Sequence, residues 1–168
     1  MSGTKTLYIV RHAKSRWNPE DIVDHERPLN ERGLREADLM ANRLAGVISA
    51  PEYWVSSTAL RAKTTAAIFL EAFKGKQDIH LNKDIYEASY SSLLPIINAF
   101  PETAGSAVLF GHNPSLSYLV SGLTNTNLAM QTCCITEVEL LVSEWADVAA
   151  GVGMLKMLDY PRKTNLSK

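Results

Sequence analysis

A chain of 168 residues, 46% hydrophobic and 21% charged, has the size and make-up of one globular domain with a substantial core. Seventeen basic against eighteen acidic residues leave a formal net charge of −1, which offers no general attraction for nucleic acid or an anionic membrane, so any anion site must be local. No apolar run approaches the roughly 20 residues needed to cross a bilayer, and the amino terminus lacks the basic end and long apolar core of a signal peptide.

In chain order, a short apolar run, Leu7-Tyr8-Ile9-Val10, stops at Arg11-His12 and reads as a buried strand that delivers a cation and an imidazole to its carboxyl end. In open α/β sheets, ligands sit in the crevice beyond such ends. Arg16 to Arg27 is polar and aperiodic, a loop ending at Pro28. A helix follows, with Asn30 as N-cap, Glu31 in the first turn, and Leu34, Ala37, Ala41, Leu44 and Ile48 at helical spacing. Gly33 in its first turn costs a little helix stability and would permit close backbone packing.

Tyr53 to Ser56 is a second strand after Pro51. Ser57-Thr58 caps another helix, whose core face runs Ala59, Ala62, Ala66, Phe69 and Phe73 until Gly75 ends it. Ile79-His80-Leu81 is a third strand, and Ser91 to Ala99 a helix that stops before Pro101. Ala107 to Phe110 is a fourth buried strand, cut off by Gly111-His112-Asn113-Pro114. Asn113 as cap and Pro114 at the first helical position then open a helix through about Ser121. Ile135 to Val142 and Val152 to Leu158 read as two strands joined by Ser143 to Gly151, an antiparallel edge. The alternation predicts an α/β fold: a single three-layer α/β/α domain over residues 1–168, with a mostly parallel central sheet and an antiparallel edge.

One pattern occurs three times: an apolar strand, a short polar turn bearing Arg or His, then a helix. It places Arg11-His12, Arg61 and His112 at three strand ends. Helix amino termini favour anions, so cations there are unhelpful to isolated helices by about 0.3–1 kcal/mol each. A bound anion among them would offset that cost. Phosphate fits best, because guanidinium forks match its oxygens.

These residues carry a resemblance. Arg11-His12-Ala13-Lys14-Ser15-Arg16-Trp17-Asn18 resembles the Arg-His-Gly-x-Thr-x-x-Asn signature of the histidine phosphatase superfamily, also called phosphoglycerate mutase-like. Ser57-x-Ala59-Leu60-Arg61-Ala62-x-x-Thr65-Ala66 resembles that family's second arginine motif, and Phe110-Gly111-His112-Asn113-Pro114 its second histidine motif. Arg27-Pro28-Leu29-Asn30-Glu31-Arg32-Gly33, the His-Asn-Pro run and the short length are most similar to the SixA-type phosphohistidine phosphatases.

The resemblance implies that His12 is the nucleophile and becomes transiently phosphorylated. Arg11, Arg61 and His112 would hold the phosphoryl oxygens, Ser15 and Asn18 would add donors, and Glu87 falls where many members carry the proton donor. Two positions depart from the family pattern. Ala13 replaces the usual glycine, and Asn113 stands where the acid-phosphatase branch has its carboxylate.

The chemistry of the residue types agrees with these roles. A histidine nucleophile must be neutral and aimed, and phosphoryl transfer asks mainly for positioning and electrostatic stabilisation, which two arginines and a second imidazole supply without metal. The expectation is therefore a cytoplasmic, metal-independent phosphatase with no cofactor, acting through a phosphohistidine enzyme intermediate on phosphohistidine of a signalling protein. A small phosphoester is the alternative substrate, and a phosphate- or phosphoprotein-binding module without turnover is the alternative class.

Other residues read more plainly. His25 and His80 are surface residues, Lys14 and Arg16 rim charges, and Trp17, Trp54 and Trp145 packing residues. Asp24 to Arg27 is either a solvated loop or part of the substrate rim. Cys133 and Cys134 are adjacent, poorly placed to bridge each other, and are not a metal knuckle, so reduced thiols and a cytoplasmic setting are expected. The four histidines match no standard metal spacing. No Gly-x-Ser-x-Gly elbow or Gly-rich phosphate loop is present.

Overall fold

The apolar runs become the centre of a mixed sheet. A computed structural model of the chain describes residues 3–16 and 20–162. Among them, β1 (Lys5–Arg11), β2 (Tyr53–Ser57), β3 (Ile79–Asn82), β4 (Ser106–Gly111), β5 (Ile135–Leu140) and β6 (Gly153–Asp159) form one sheet in the order β3-β2-β4-β1-β5-β6. The first four of that order run parallel, and β5 and β6 add the expected antiparallel edge. Four α-helices accompany them: α1 (Glu31–Ala45), α2 (Leu60–Ala72), α3 (Tyr90–Asn98) and α4 (Ser115–Thr124).

Period-2 alternation along β1 splits its side chains between two cores. Tyr8 and Val10 pack with Ala37, Met40, Ala41 and Leu44 of α1 and with Ala66 and Phe69 of α2. Leu7 and Ile9 pack with Leu93 and Ile97 of α3 and with Leu116, Leu119, Val120 and Leu123 of α4. Both faces of the sheet are thus covered, which explains why β1 and β4 read as continuous apolar runs. The three-layer α/β/α expectation holds. Each fully buried large apolar side chain contributes about 1.5–3 kcal/mol. Trp145 joins the α3–α4 core from a short 3-10 turn, Trp145–Asp147, and donates its indole N–H to Ala104 O at 2.8 Å. No helix among the described residues is long and apolar enough to cross a membrane.

Four local expectations are corrected. The buried stripe of α1 runs Gly33, Ala37, Met40, Ala41 and Leu44, which turns Leu34 one residue off it, 46% exposed; Ile48 reaches the core from beyond the helix end. Ser57 and Thr58 do not cap α2: Ala59 holds the cap position without a side-chain bond, and the backbone N–H that Ser57 Oγ accepts is that of Ala59 itself (3.2 Å). The residue in the left-handed region after α2 is Lys74 (φ +51°) rather than Gly75, and the Gly75 N–H closes the turn on Leu70 O. Helix α4 begins at Ser115, with Pro114 in the cap position, and Asn113 Oδ1 accepts from Ser117 N–H (3.3 Å), one residue beyond the last N–H that a cap at Asn113 would reach.

Candidate active site

Strand register brings the two histidines together. β1 and β4 pair with Arg11 opposite Gly111, so His12 and His112 leave neighbouring strands at the same level, and His12 N–H donates to Gly111 O at 3.0 Å. Their ring centroids stand 5.2 Å apart. β2 flanks β4 on the other side, which sets Ser57 against His112, Oγ to Nε2 2.8 Å. Arg61 lies in the first turn of α2, and Thr65, one turn on, donates to Arg61 O (2.7 Å) while accepting from Ala13 N–H (3.1 Å). The loop after β1 rests on α1, where Asn30 accepts from Gly33 N–H (2.7 Å) and donates its own N–H to Lys14 O (3.0 Å). A Cβ at Gly33 would stand 2.0 Å from Lys14 O, so the close approach anticipated for this glycine is what seats the His12 loop.

These elements enclose a cavity of about 430 Å³ lined by Arg11, His12, Lys14, Ser15, Arg27, Asn30, Arg61, His112, Asn113 and Thr132. Arginine and lysine supply every charged lining residue, and no carboxylate lines it among the described residues. Neither α2 nor α4 places an acidic residue in its first turn, whereas α1 has Glu31 there. The three arginines are anchored by their outer nitrogens. Arg11 Nη1 donates to Met130 O (3.0 Å), Arg61 Nη1 and Nη2 to Asp24 O (2.8 Å) and Oδ2 (3.1 Å), and Arg27 Nη1 to Ser15 Oγ and Arg16 O. Their Nε atoms, and His112 Nδ1, are buried with no hydrogen-bond partner. A buried unsatisfied group of this kind costs about 1–3 kcal/mol, and the oxygens of an anion would recover it.

The imidazoles are held neutral. His12 is 7% exposed, and burial pushes its pKa down to about 3, with the charges of His112, Arg61 and Arg11 acting the same way against the bond to Ala13 O. That bond, Nδ1 to Ala13 O at 2.7 Å, sets the tautomer, since a carbonyl can only accept: the proton sits on Nδ1 and the lone pair on Nε2. His112 is lowered to about 4, by burial first and then by Arg61, with Asp24 opposing. Such an arrangement can present a neutral nitrogen nucleophile to an electrophile whose negative oxygens are held by arginine.

Of the residues expected from the sequence, Arg11, His12, Ser15, Arg61 and His112 come together on the cavity. Ser15 is buried, and its hydroxyl accepts from Arg27. Glu87 is not brought there: it is exposed, in the left-handed region (φ +57°) beyond Tyr86, and is not among the lining residues. Asn18 and Trp17 lie outside the described residues. Of Asp24 to Arg27, left open between a solvated loop and a rim, Arg27 lines the cavity and Asp24 accepts from Arg61 behind it. His25 is part-buried rather than a free surface residue, with Nε2 2.8 Å from Thr58 Oγ1 and its ring edge-on to Tyr86 at 4.9 Å. His80 is exposed, stacked on Tyr53.

Sequence reasoning missed the parts played by Asp24, Tyr86, Ser57 and Thr65. Ser57 and Thr65 were visible in the second arginine motif, at fixed distance from Arg61. Nothing local marks Asp24 and Tyr86, which meet across 62 residues, Tyr86 donating its hydroxyl to Asp24 Oδ2 at 2.6 Å.

The sequence model of the histidine phosphatase superfamily (branch 1) matches residues 7–96. The chain belongs to that superfamily. The matched stretch carries Arg11, His12 and Arg61; His112 lies beyond it and joins the site through the β1–β4 register. An uncharacterized protein of Mycobacterium tuberculosis is 29% identical, across 91% of this chain and 100% of its own length. Within the superfamily the likeness runs to SixA-type members. The Agrobacterium tumefaciens structure named for phosphohistidine phosphatase SixA is 26% identical, with TM-score 0.79 over 94% of this chain and 98% of that one. The protein histidine phosphatase SixA complexed with tungstate shares the fold at 24% identity, TM-score 0.80, covering 93% of this chain and 97% of that one.

Proposed function

We propose that this member of the superfamily is a metal-independent phosphatase that works through a phosphohistidine on His12 and takes phosphohistidine of a protein as its substrate. The observation that carries the reading is the pairing of an aimed, neutral His12 with unpartnered donors from Arg11, Arg61 and His112 around one cavity. In the first step His12 Nε2 attacks phosphorus, the bond from phosphorus to the substrate imidazole breaks, and that imidazole leaves protonated. In the second step water attacks phosphorus, the bond to Nε2 breaks, and inorganic phosphate departs while His12 returns to its neutral tautomer. Arginine and imidazole donors meet the equatorial oxygens, where charge is spread in the transition state.

The leaving group is argued from what the cavity lacks among its described lining. With no carboxylate on it and Glu87 outside it, the site supplies no strong general acid. A phosphorylated imidazole can be protonated before it leaves, whereas an alkoxide needs a proton during departure. The SixA-named neighbours support the same substrate class.

A phosphorylated photransfer-type histidine domain and a small phosphoester, each incubated with the chain in chelator, test the reading. Phosphate release from the first, a kcat/KM at least tenfold lower for the second, and a ³¹P signal on His12 in quenched samples are expected. A preference for the phosphoester would overturn the substrate, a need for added metal would overturn metal independence, and stoichiometric binding without release would overturn turnover.

A further inference from the structure

One cavity arginine is left unused by the reaction as described. Arg27, at the end of the loop between β1 and α1, lines the same cavity as Arg11 and Arg61. Its Nη1 is taken by Ser15 Oγ and Arg16 O, its Nη2 lies 3.2 Å from Asp24 Oδ1, and its Nε is buried without a partner. Arg61 repeats the arrangement from α2, with both Nη atoms on Asp24 and a buried, unpartnered Nε.

Asp24 therefore gives one carboxylate oxygen to each guanidinium, Oδ1 to Arg27 and Oδ2 to Arg61. Tyr86 pins Oδ2 from a third side, and the Arg27 N–H donates to Asp24 O at 3.1 Å. The carboxylate is not among the cavity-lining residues, so it lies behind the two guanidinium groups and offsets their mutual repulsion without facing the cavity. An arginine kept only to brace a loop gains nothing from a buried donor left unmade; one kept to meet an anion does.

We propose that Arg27 is a third phosphoryl-binding arginine, and that Asp24 is the positioning residue that holds Arg27 and Arg61 together as one clamp. The proposal rests on the phosphatase reading and extends it to two residues to which the sequence assigned no role in the reaction.

The test uses the full chain in two assays: titration with inorganic phosphate, and turnover of a phosphorylated histidine domain. In Arg27→Met the phosphate Kd rises at least tenfold and kcat falls about 100-fold. Arg27→Lys, which keeps the charge but not the fork, recovers only part of either, and serves if Arg27→Met does not fold. Asp24→Asn lowers kcat about tenfold with KM no higher than wild type, because a negative charge is lost while the aim is spoiled. A merely structural role would lower the melting temperature and leave that split absent. The double variant Asp24→Asn/Arg27→Met is less impaired than the product of the two single effects.

Wild-type phosphate affinity in both Arg27 variants, or single effects that multiply, would overturn the clamp. The phosphate titration separates the two levels. Weakened phosphate binding in Arg27→Met beside a wild-type chain that turns over no phosphorylated substrate would keep the clamp and overturn the phosphatase reading. Normal turnover with unchanged phosphate binding in the Arg27 variants would do the reverse.

Discussion

The ends of β1 and β4 each deliver a histidine to the cavity, and the two are held by opposite nitrogens. At the β1 end, Nδ1 of His12 is tied to the Ala13 carbonyl, which accepts and cannot donate, so the outer nitrogen is committed to carry a lone pair. At the β4 end, Nε2 of His112 is tied to the Ser57 hydroxyl, which can do either, so His112 is free to carry its proton wherever a phosphoryl oxygen wants it. The difference teaches that two chemically identical side chains, one strand apart, are given different proton placements by the group behind them. In the mechanism we propose, the rigid backbone carbonyl suits His12 to be the nucleophile, and the adaptable hydroxyl suits His112 to be an oxygen-binding donor.

The comparison breaks most visibly at the β1 end. His12→Ala should abolish turnover, a loss on the order of 10⁵- to 10⁶-fold in kcat, and remove the ³¹P signal of the phosphoenzyme, while circular dichroism stays native. Residual turnover near wild type would end the role of His12. At the β4 end, His112→Ala should cost on the order of 10²- to 10³-fold in kcat, as for loss of one oxyanion donor, yet still form phosphoenzyme in rapid-quench samples. Equal losses at the two ends would erase the division of labour.

Acid should weaken both ends together. The pKa of His12 is lowered to about 3 and that of His112 to about 4 in the folded chain, from 6.5 in each case. Below about pH 6.5 the unfolded chain therefore takes up protons that the folded chain refuses. Stability falls as pH drops from about 6.5 towards 4, by at most about 2.7 kcal/mol per pH unit for the two groups together. Melting temperatures measured across that window should show the fall, and millimolar phosphate should lessen it, since a bound phosphate anion favours imidazolium. A flat profile would mean that both rings take up protons in the folded chain as readily as in the unfolded one, and half the slope that only one does.

Smaller effects sharpen the same contrast. Gly33→Ala forces a Cβ against the Lys14 carbonyl that shapes the His12 loop, and should cost about 1–3 kcal/mol in denaturant unfolding, with phosphoenzyme formation slowed in rapid-quench samples. Ser57→Ala removes the orienting hydroxyl behind His112 and should lower kcat roughly two- to tenfold with phosphoenzyme formation slowed, not abolished.

Much of this was legible in the residues because the signals are local. Period-2 and helical spacing placed the strands and helices, apolar runs cut off at Arg11-His12 and Gly111-His112 marked which strand ends face a ligand, and Asn30 announced the start of α1 through a bond three residues long. Even the cost of Gly33 in a first turn pointed to a close approach that the fold then uses. Motif order was enough to name the superfamily and five residues of the cavity.

What the chain could not disclose by itself depends on groups far apart in sequence meeting at one height. The register of β1 on β4 brings His12 to His112, and that of β2 on β4 brings Ser57 behind it. Loop paths bring Asp24 to Arg27, Arg61 and Tyr86 and turn Glu87 away, although spacing alone treats Asp24 and Glu87 as two ordinary carboxylates in polar loops. Local sequence determined which side chains exist at each strand end. Tertiary packing decided which nitrogen of each histidine is free and which arginines share a carboxylate, because burial and hydrogen-bond direction are properties of the assembled core.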